Sequence, residues 1–409
     1  MDLSRLINDN GMYLYQDDSF NTINMQLCFL GEGGNKQDAI NYVLCDYIIK
    51  SNELYHCLDD EMQKLYSMDA FFTSQRVGNT SNIFFCVDLV APSVVEDNYL
   101  ESAYGLIEEI LLYPNFTDEK LLETIKRTYI SKIIYKISNS STRANRLFFD
   151  NVFNDENSKY SCSIDPEYIK DIINSITLDD LKEAYKKTIN ENSFYRGIVF
   201  GNISLEDFKL FRDYVPYKNN NSTIDYSIPT NISNEDKEIS DPEANESTLY
   251  VTYEMDNADE ATCKLFSSIF NGSNGLCYQI LREKYGLVYS SYISIYVYRK
   301  AFVVKAKIDK NNKQKTLDAI NEIISIAKDK NKLKELLAYA KGYIKSEDYL
   351  LSERKDDIID NLDDYIRGVC GDFNYNEFIK NIDSYTEEDI ASKVQTLKYK
   401  NTFMYRGDK

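Results

Sequence analysis

Apolar positions recur at three- and four-residue spacing through residues 36–51, where Ile40, Val43, Leu44, Tyr47 and Ile48 form one stripe. That spacing predicts an amphipathic helix facing a core. Ahead of it, residues 12–15 and 22–30 read as strands, and Gly31-Glu32-Gly33-Gly34 as the turn into the helix. A short helix is predicted over 58–65, then strands over 70–75 and 81–89. Leu100, Ala103, Tyr104, Ile107 and Leu111 stripe another helix, which Pro114 closes. Thr117, followed by Asp118 and Glu119, is the expected cap of a long helix to 137. A helix-rich stretch leads to Thr177, a second expected cap, then to a helix ending near 189 and a strand over 193–200.

Residues 216–246 carry almost no apolar periodicity and many Asn, Pro and Glu, and are read as a linker. After it the pattern starts again. A strand over 249–253 is followed by a helical run over 261–281, which the segment Asn271-Gly272-Ser273-Asn274-Gly275 interrupts. Alternating runs over 289–298 and 301–308 read as a hairpin. Leu317, Ile320, Ile324 and Ala327 then stripe a helix. Near the end of each half stand two similar stretches. Glu167-Tyr168-Ile169-Lys170-Asp171-Ile172 runs on to Thr177-Leu178-Asp179-Asp180-Leu181, and Glu377-Phe378-Ile379-Lys380-Asn381-Ile382 runs on to Thr386-Glu387-Glu388-Asp389-Ile390. The expected fold is therefore α+β: two copies of one unit, residues 1–215 and 247–409, each a mostly antiparallel sheet packed with helices.

Composition narrows the partners. The chain has 409 residues, 43% of them hydrophobic, enough for two or three cored domains. A formal charge of −19 argues against nucleic acid and slightly favours basic ligands. No apolar run approaches the roughly 18 residues of a membrane span. The opening residues lack the apolar stretch of an export signal, so a cytoplasmic location is expected. The eight cysteines are scattered without a C-x-x-C pair, which suits free thiols in a reducing compartment.

The chemistry-bearing stretch is Leu281-Arg282-Glu283-Lys284-Tyr285-Gly286-Leu287-Val288-Tyr289-Ser290. A turn at Gly286 would bring Arg282, at a helix end, near Tyr289, at a strand start. Arg can donate paired hydrogen bonds to a carbonyl or carboxylate, and a Tyr hydroxyl can donate to an oxyanion. On these residues alone, Arg282 reads equally as a solvated helix-end cation and Tyr289 as a strand core residue. With Phe270-Asn271-Gly272-x-x-Gly275-Leu276 ahead of it, the segment resembles the second half of the pitrilysin/insulinase-like zinc peptidases, the inverted zincins. The resemblance implies that one such chain is half of a clamshell. It implies that Arg282 and Tyr289 bind the substrate peptide and polarise its scissile carbonyl, and that the Gly272–Gly275 turn contacts substrate. That turn has fewer glycines than many members carry, and a plain helix-breaking turn explains it as well.

The zinc half of the resemblance departs from the family. Active members carry His-x-x-Glu-His on the first long helix, and a Glu on a later helix as third ligand. The matching positions here are Tyr42, Cys45 and Asp46, and the chain has one His, His56. The later helix has no Glu after Glu123. A metal site using Cys45, Asp46, His56 and Cys57 fits no common spacing. A Cys57 nucleophile beside His56 is disfavoured because neighbouring helical side chains diverge. The resemblance therefore implies a non-catalytic subunit of a heterodimeric zinc peptidase, with no metal or cofactor of its own and with zinc in its partner. A stand-alone peptide-binding or chaperone-like protein, and an enzyme of different chemistry, are the competing readings.

Overall fold

The computed structural model describes residues 5–409 apart from 53–57, 78–79, 96–98, 220–227, 229–230, 257, 352–357, 361 and 364–374. The chain divides into two units, residues 1–136 with 156–227, and residues 137–155 with 228–409.

In the first unit, strands β1 (Ile7–Asp9), β2 (Met12–Gln16), β3 (Thr22–Phe29), β4 (Asp69–Val77), β5 (Thr80–Val90) and β6 (Phe194–Gly201) form one sheet in the order β1-β2-β6-β3-β5-β4. Only β2 and β6 run parallel. Helix α1 (Asn35–Ile48) buries Ile40, Val43, Leu44, Tyr47 and Ile48, the stripe its periodicity predicts. The remaining helices are α2 (Leu58–Lys64), α3 (Leu100–Leu112) and α4 (Glu119–Ser138), then, after a segment of the other unit, α6 (Lys159–Cys162), α7 (Pro166–Asn174), α8 (Leu178–Thr188) and α9 (Leu205–Tyr214). The cap of α4 is Asp118 rather than Thr117: the Asp118 carboxylate accepts from the Leu121 backbone N–H at 2.9 Å. The Thr117 hydroxyl is spent on Asn115.

The second unit repeats the plan. Strands β7 (Lys237–Asp241), β8 (Ser247–Glu254), β9 (Val288–Tyr296), β10 (Ala301–Ile308) and β11 (Lys398–Gly407) lie in the order β7-β11-β8-β10-β9. Read against β2-β6-β3-β5-β4, every position corresponds, including the single parallel pair, here β11 with β7. Helices α10 (Glu260–Phe270), α11 (Lys313–Ala327), α12 (Lys330–Leu351), α13 (Tyr375–Ser384) and α14 (Glu387–Gln395) follow in chain order. Leu265, Ile269, Ile320, Ile323 and Leu337 of these helices join Leu249, Val251, Val304 and Met404 of the sheet in one core.

Two features differ from the expected division at 215 and 247. Strand β7 lies inside the stretch read as a linker. It is the counterpart of β2 but forms the sheet edge, and Lys237-Glu238-Ile239-Ser240-Asp241 supplies a single apolar side chain, too few for an alternating signal. In addition α5 (Ser140–Phe153), which the sequence reading assigns to the first domain, belongs to the second unit. It buries Ala144, Phe148, Val152 and Phe153 against Tyr250, Val303, Phe403 and Tyr405, on the sheet face away from the other core.

The internal repeat has a matching local device. Thr177 and Asp180 at the start of α8, and Thr386 and Asp389 at the start of α14, each form a reciprocal capping box. Each Thr hydroxyl accepts from the Asp backbone N–H, and each Asp carboxylate accepts from the Thr backbone N–H at 2.8 Å. Replacing Thr386 by Ala is expected to cost about 1 kcal/mol, measured as a shift in the denaturation midpoint at unchanged slope.

Candidate functional site

The candidate site is built where the helical run of the second unit hands over to β9. Helix α10 stops at Asn271, whose backbone N–H still bonds Ser267. Gly272 then takes φ +77°, a left-handed conformation that favours glycine. Gly275 is needed for a different reason: a Cβ there would lie 2.1 Å from the Asn271 carbonyl oxygen. The chain re-enters a helix that widens to a π-helix over Tyr278–Lys284, a local widening common at functional sites. It closes at Gly286, φ +60°, whose N–H donates to the Arg282 carbonyl at 3.0 Å, while the Leu287 N–H reaches back to Leu281 at 2.8 Å. Buried Leu287 and Val288 then start β9.

This handover brings Arg282 and Tyr289 together as the sequence predicts, with one difference. Arg282 Nη1 donates to the backbone carbonyl of Tyr289 at 2.9 Å, not to its hydroxyl. The guanidinium also lies over the Tyr278 ring at 5.7 Å. Arg282 is exposed and Tyr289 is 64% exposed, so Tyr289 is not the core residue that the alternative reading allows. The turn between them is tied down from outside. Lys284 Nζ contacts Glu322 of α11 at 2.6 Å, and the Tyr285 hydroxyl donates to the other carboxylate oxygen at 2.8 Å. Those two donors, Lys284 first, hold the Glu322 carboxyl below its usual range. Sequence reasoning missed Glu322, which sits on the polar side of α11 and carries no motif.

Asn271 is the second missed residue. Its carboxamide oxygen accepts from the Ile293 N–H at 2.7 Å, and its amide donates to the Ile293 carbonyl at 3.2 Å. The side chain thus stands in for a neighbouring strand at one point of β9. Gly272 borders a cavity of about 420 Å³ with Lys264, Ser267, Asn271, Tyr339 and Tyr343. The turn is therefore a real break in the helix with open space beside it.

In the first unit, the positions aligned with zinc ligands are engaged in other contacts. The Tyr42 ring of α1 stacks on Tyr129 of α4, centroids 3.9 Å apart and nearly parallel. Cys45 is buried, and burial, with Asp46 adding to it, pushes its thiol far above the range in which a thiolate forms. Asp46 is half-buried beside it. Glu123, the last Glu of α4, is bound to Lys126 at 2.9 Å. Among the described residues no three His, Cys, Asp or Glu side chains converge on a point. His56 and Cys57 lie outside the described residues. Among the described residues no helix is long and apolar enough to cross a membrane.

A family model described as the peptidase M16 inactive domain matches residues 175–341. No curated protein matches this sequence. Among solved structures, a conserved protein from Enterococcus faecalis V583 is similar with a TM-score of 0.81 and 18% identity, over 97% of this chain and 97% of that one. A peptidase M16 inactive domain from Pseudomonas fluorescens gives 0.76 and 16%, over 97% and 95%. A protease from Helicobacter pylori gives 0.72 and 13%, over 98% of each. At these identities the structural likenesses carry the fold.

Proposed function

We propose, from the premise that this chain belongs to the M16 peptidase family through its match to the inactive domain, that it is the non-catalytic subunit of a heterodimeric zinc peptidase. It completes the substrate chamber and presents Arg282 and Tyr289 to a peptide held by a catalytic partner of the same family. The observation that carries this reading is a contrast. The zinc-face positions hold a stacked Tyr42, a buried neutral Cys45 and Asp46, while the Arg282–Tyr289 turn is fully assembled and faces solvent.

Each side chain has a defined task in that reading. One Arg282 N–H is committed to the Tyr289 carbonyl, which fixes the guanidinium and leaves its other donors for a substrate carbonyl or carboxylate. The Tyr289 hydroxyl donates to the oxyanion that develops at the scissile carbonyl, a contribution worth roughly 10²–10³ in rate in a closed site. This chain contributes no metal chemistry of its own. The net charge of −19 favours basic peptides as substrates.

The test is zinc-dependent peptide cleavage by the purified chain, alone and recombined with the family partner it captures from its host. Cleavage is expected only in the recombined pair, and Arg282→Ala or Tyr289→Phe should lower it roughly tenfold or more. Cleavage by the chain alone would overturn the reading. Peptide bound tightly, with no cleavage in any combination, would favour a stand-alone peptide-binding protein.

A further inference from the structure

Lys305 of β10 stands on the α5 face of the second sheet. The strand alternates: Phe302, Val304 and Ala306 point into the helical core, Ala301 and Val303 point toward α5, and Lys305 continues the second row. It is 9% exposed. Its Nζ donates to the Asn145 carboxamide oxygen at 2.7 Å. It also lies 5.4 Å from the Tyr250 ring centroid and 5.3 Å from that of Tyr292, its cross-strand partner on β9. The two ring faces stabilise the charge but supply no negative group. Among the described residues these are its polar and aromatic contacts, and none is a carboxylate. Three other cations of this unit are paired: Arg143 with Asp241, Arg299 with Asp155, and Lys307, next in the same row of β10, with Glu246. Leaving Lys305 without an acid is costly at this depth, in a chain whose 66 Asp and Glu residues could have supplied one. The surroundings add donors. The Tyr250 hydroxyl also donates to the Asn145 oxygen, at 2.6 Å. That oxygen thus takes two donors, and the carboxamide nitrogen is turned away, its N–H groups uncommitted among the described residues. Two Lys305 N–H groups are uncommitted likewise. Tyr292, 41% exposed, is the side of the cluster open to solvent.

We propose that Lys305, Asn145 and Tyr292 form a binding site for a peptide carboxylate. The carboxylate accepts from the Lys305 ammonium and from the Asn145 carboxamide nitrogen, and the Tyr292 ring walls it on the solvent side. Charge-assisted hydrogen bonds of this kind are stronger than neutral ones, and the ligand supplies the counter-charge that the fold withholds. The carboxylate is the C-terminus of the peptide or an acidic side chain within it. One buried cation reads one carboxylate, which suits the C-terminus of an otherwise basic peptide, the kind a chain of charge −19 attracts. The site lies on the sheet face opposite the helical layer that carries Arg282. It stands whether or not Arg282 touches substrate.

The test is isothermal titration of the full chain with three unlabelled, N-acetylated tetrapeptides. The first is lysyl-valyl-lysyl-valine as the free acid, the second is its C-terminal amide, and the third is that amide with the second lysine replaced by glutamate. The free acid is expected to bind roughly tenfold more tightly than the plain amide. Lys305→Met keeps the length of the side chain and should erase that ratio. Its denaturation midpoint should stay level or rise, because no buried acid is orphaned. Arg282→Ala should leave the ratio intact. If instead Arg282→Ala erases the ratio and Lys305→Met keeps it, the carboxylate is read by Arg282, and the present proposal is overturned while the substrate reading of Arg282 stands. If the glutamate amide binds as tightly as the free acid, and loses that gain in Lys305→Met, the site stands and takes acidic side chains. Equal affinity for all three peptides, or binding of none, overturns it. Should Lys305→Met not fold, Tyr292→Leu at its exposed position decides: a lowered acid-to-amide ratio supports the site, and an unchanged one overturns it.

Discussion

Phe148→Ala is expected to lower the stability of the second unit by about 3–5 kcal/mol, the range for deleting a buried aromatic ring. Phe148 is 1% exposed, stacks on Tyr250 with centroids 4.3 Å apart, and touches Phe149, Phe153 and Phe403 with its ring edges. It is the central anchor of α5, a helix that covers one face of a sheet built more than eighty residues later in the chain. Asn145 on the same helix accepts from the Tyr250 hydroxyl at 2.6 Å and from Lys305 at 2.7 Å. Arg143 adds an ion pair to Asp241 and a bond to the Tyr405 hydroxyl. Truncating Phe148 leaves those polar contacts without the packing that aligns them. Amide hydrogen exchange should therefore speed up along α5, β8 and β11, while the α1 and β3 amides of the first unit stay protected. Equal loss of protection in both units, or a stability change under about 1 kcal/mol, would show that α5 is not an integral layer of the second unit.

Gly275→Ala is expected to be the most disruptive single change at the candidate site, and Gly272→Ala the mild companion. A Cβ at 275 would sit 2.1 Å from the Asn271 carbonyl oxygen, a backbone atom that no rotamer change can move. Asn271 must shift, and with it the two hydrogen bonds that fix Ile293 on the β9 edge. Overpacking of this kind costs about 1–3 kcal/mol. At Gly272 a Cβ meets nothing within 4 Å, so only the φ of +77° resists it, at about 1–2 kcal/mol. Denaturation midpoints should rank wild type, then Gly272→Ala, then Gly275→Ala. Peptide cleavage by the recombined pair should fall further for Gly275→Ala, because that change also displaces the edge. The reverse ranking would mean that backbone conformation, and not the approach to Asn271, sets the need for glycine in this turn.

Much of the fold was legible because it is written in short-range patterns. The α1 stripe from Ile40 to Ile48, the hairpin of β9 and β10, and the paired capping boxes at Thr177 and Thr386 depend on residues a few positions apart. The juxtaposition of Arg282 and Tyr289 was legible for the same reason, since a glycine turn fixes their distance locally. That Tyr42, Cys45 and Asp46 stand where the resemblance would place zinc ligands is a matter of residue identity and needs no coordinates.

What the sequence hid depends on long-range pairing. Strand β7 has one apolar residue, and only the free edge of β11, recruited from the far end of the chain, makes it a strand. The stripe of α5 announces a buried face without saying which sheet buries it, and the answer is in the other half of the chain. The π-widening over Tyr278–Lys284, the anchoring of the motif by Glu322, and the role of Asn271 as a one-residue strand leave no periodic trace. The sequence by itself determined most of the elements and the repeat, and named the residues of the two candidate centres. The tertiary structure decided where the units divide and which side chains surround Lys305, because both follow from contacts between residues far apart in the chain.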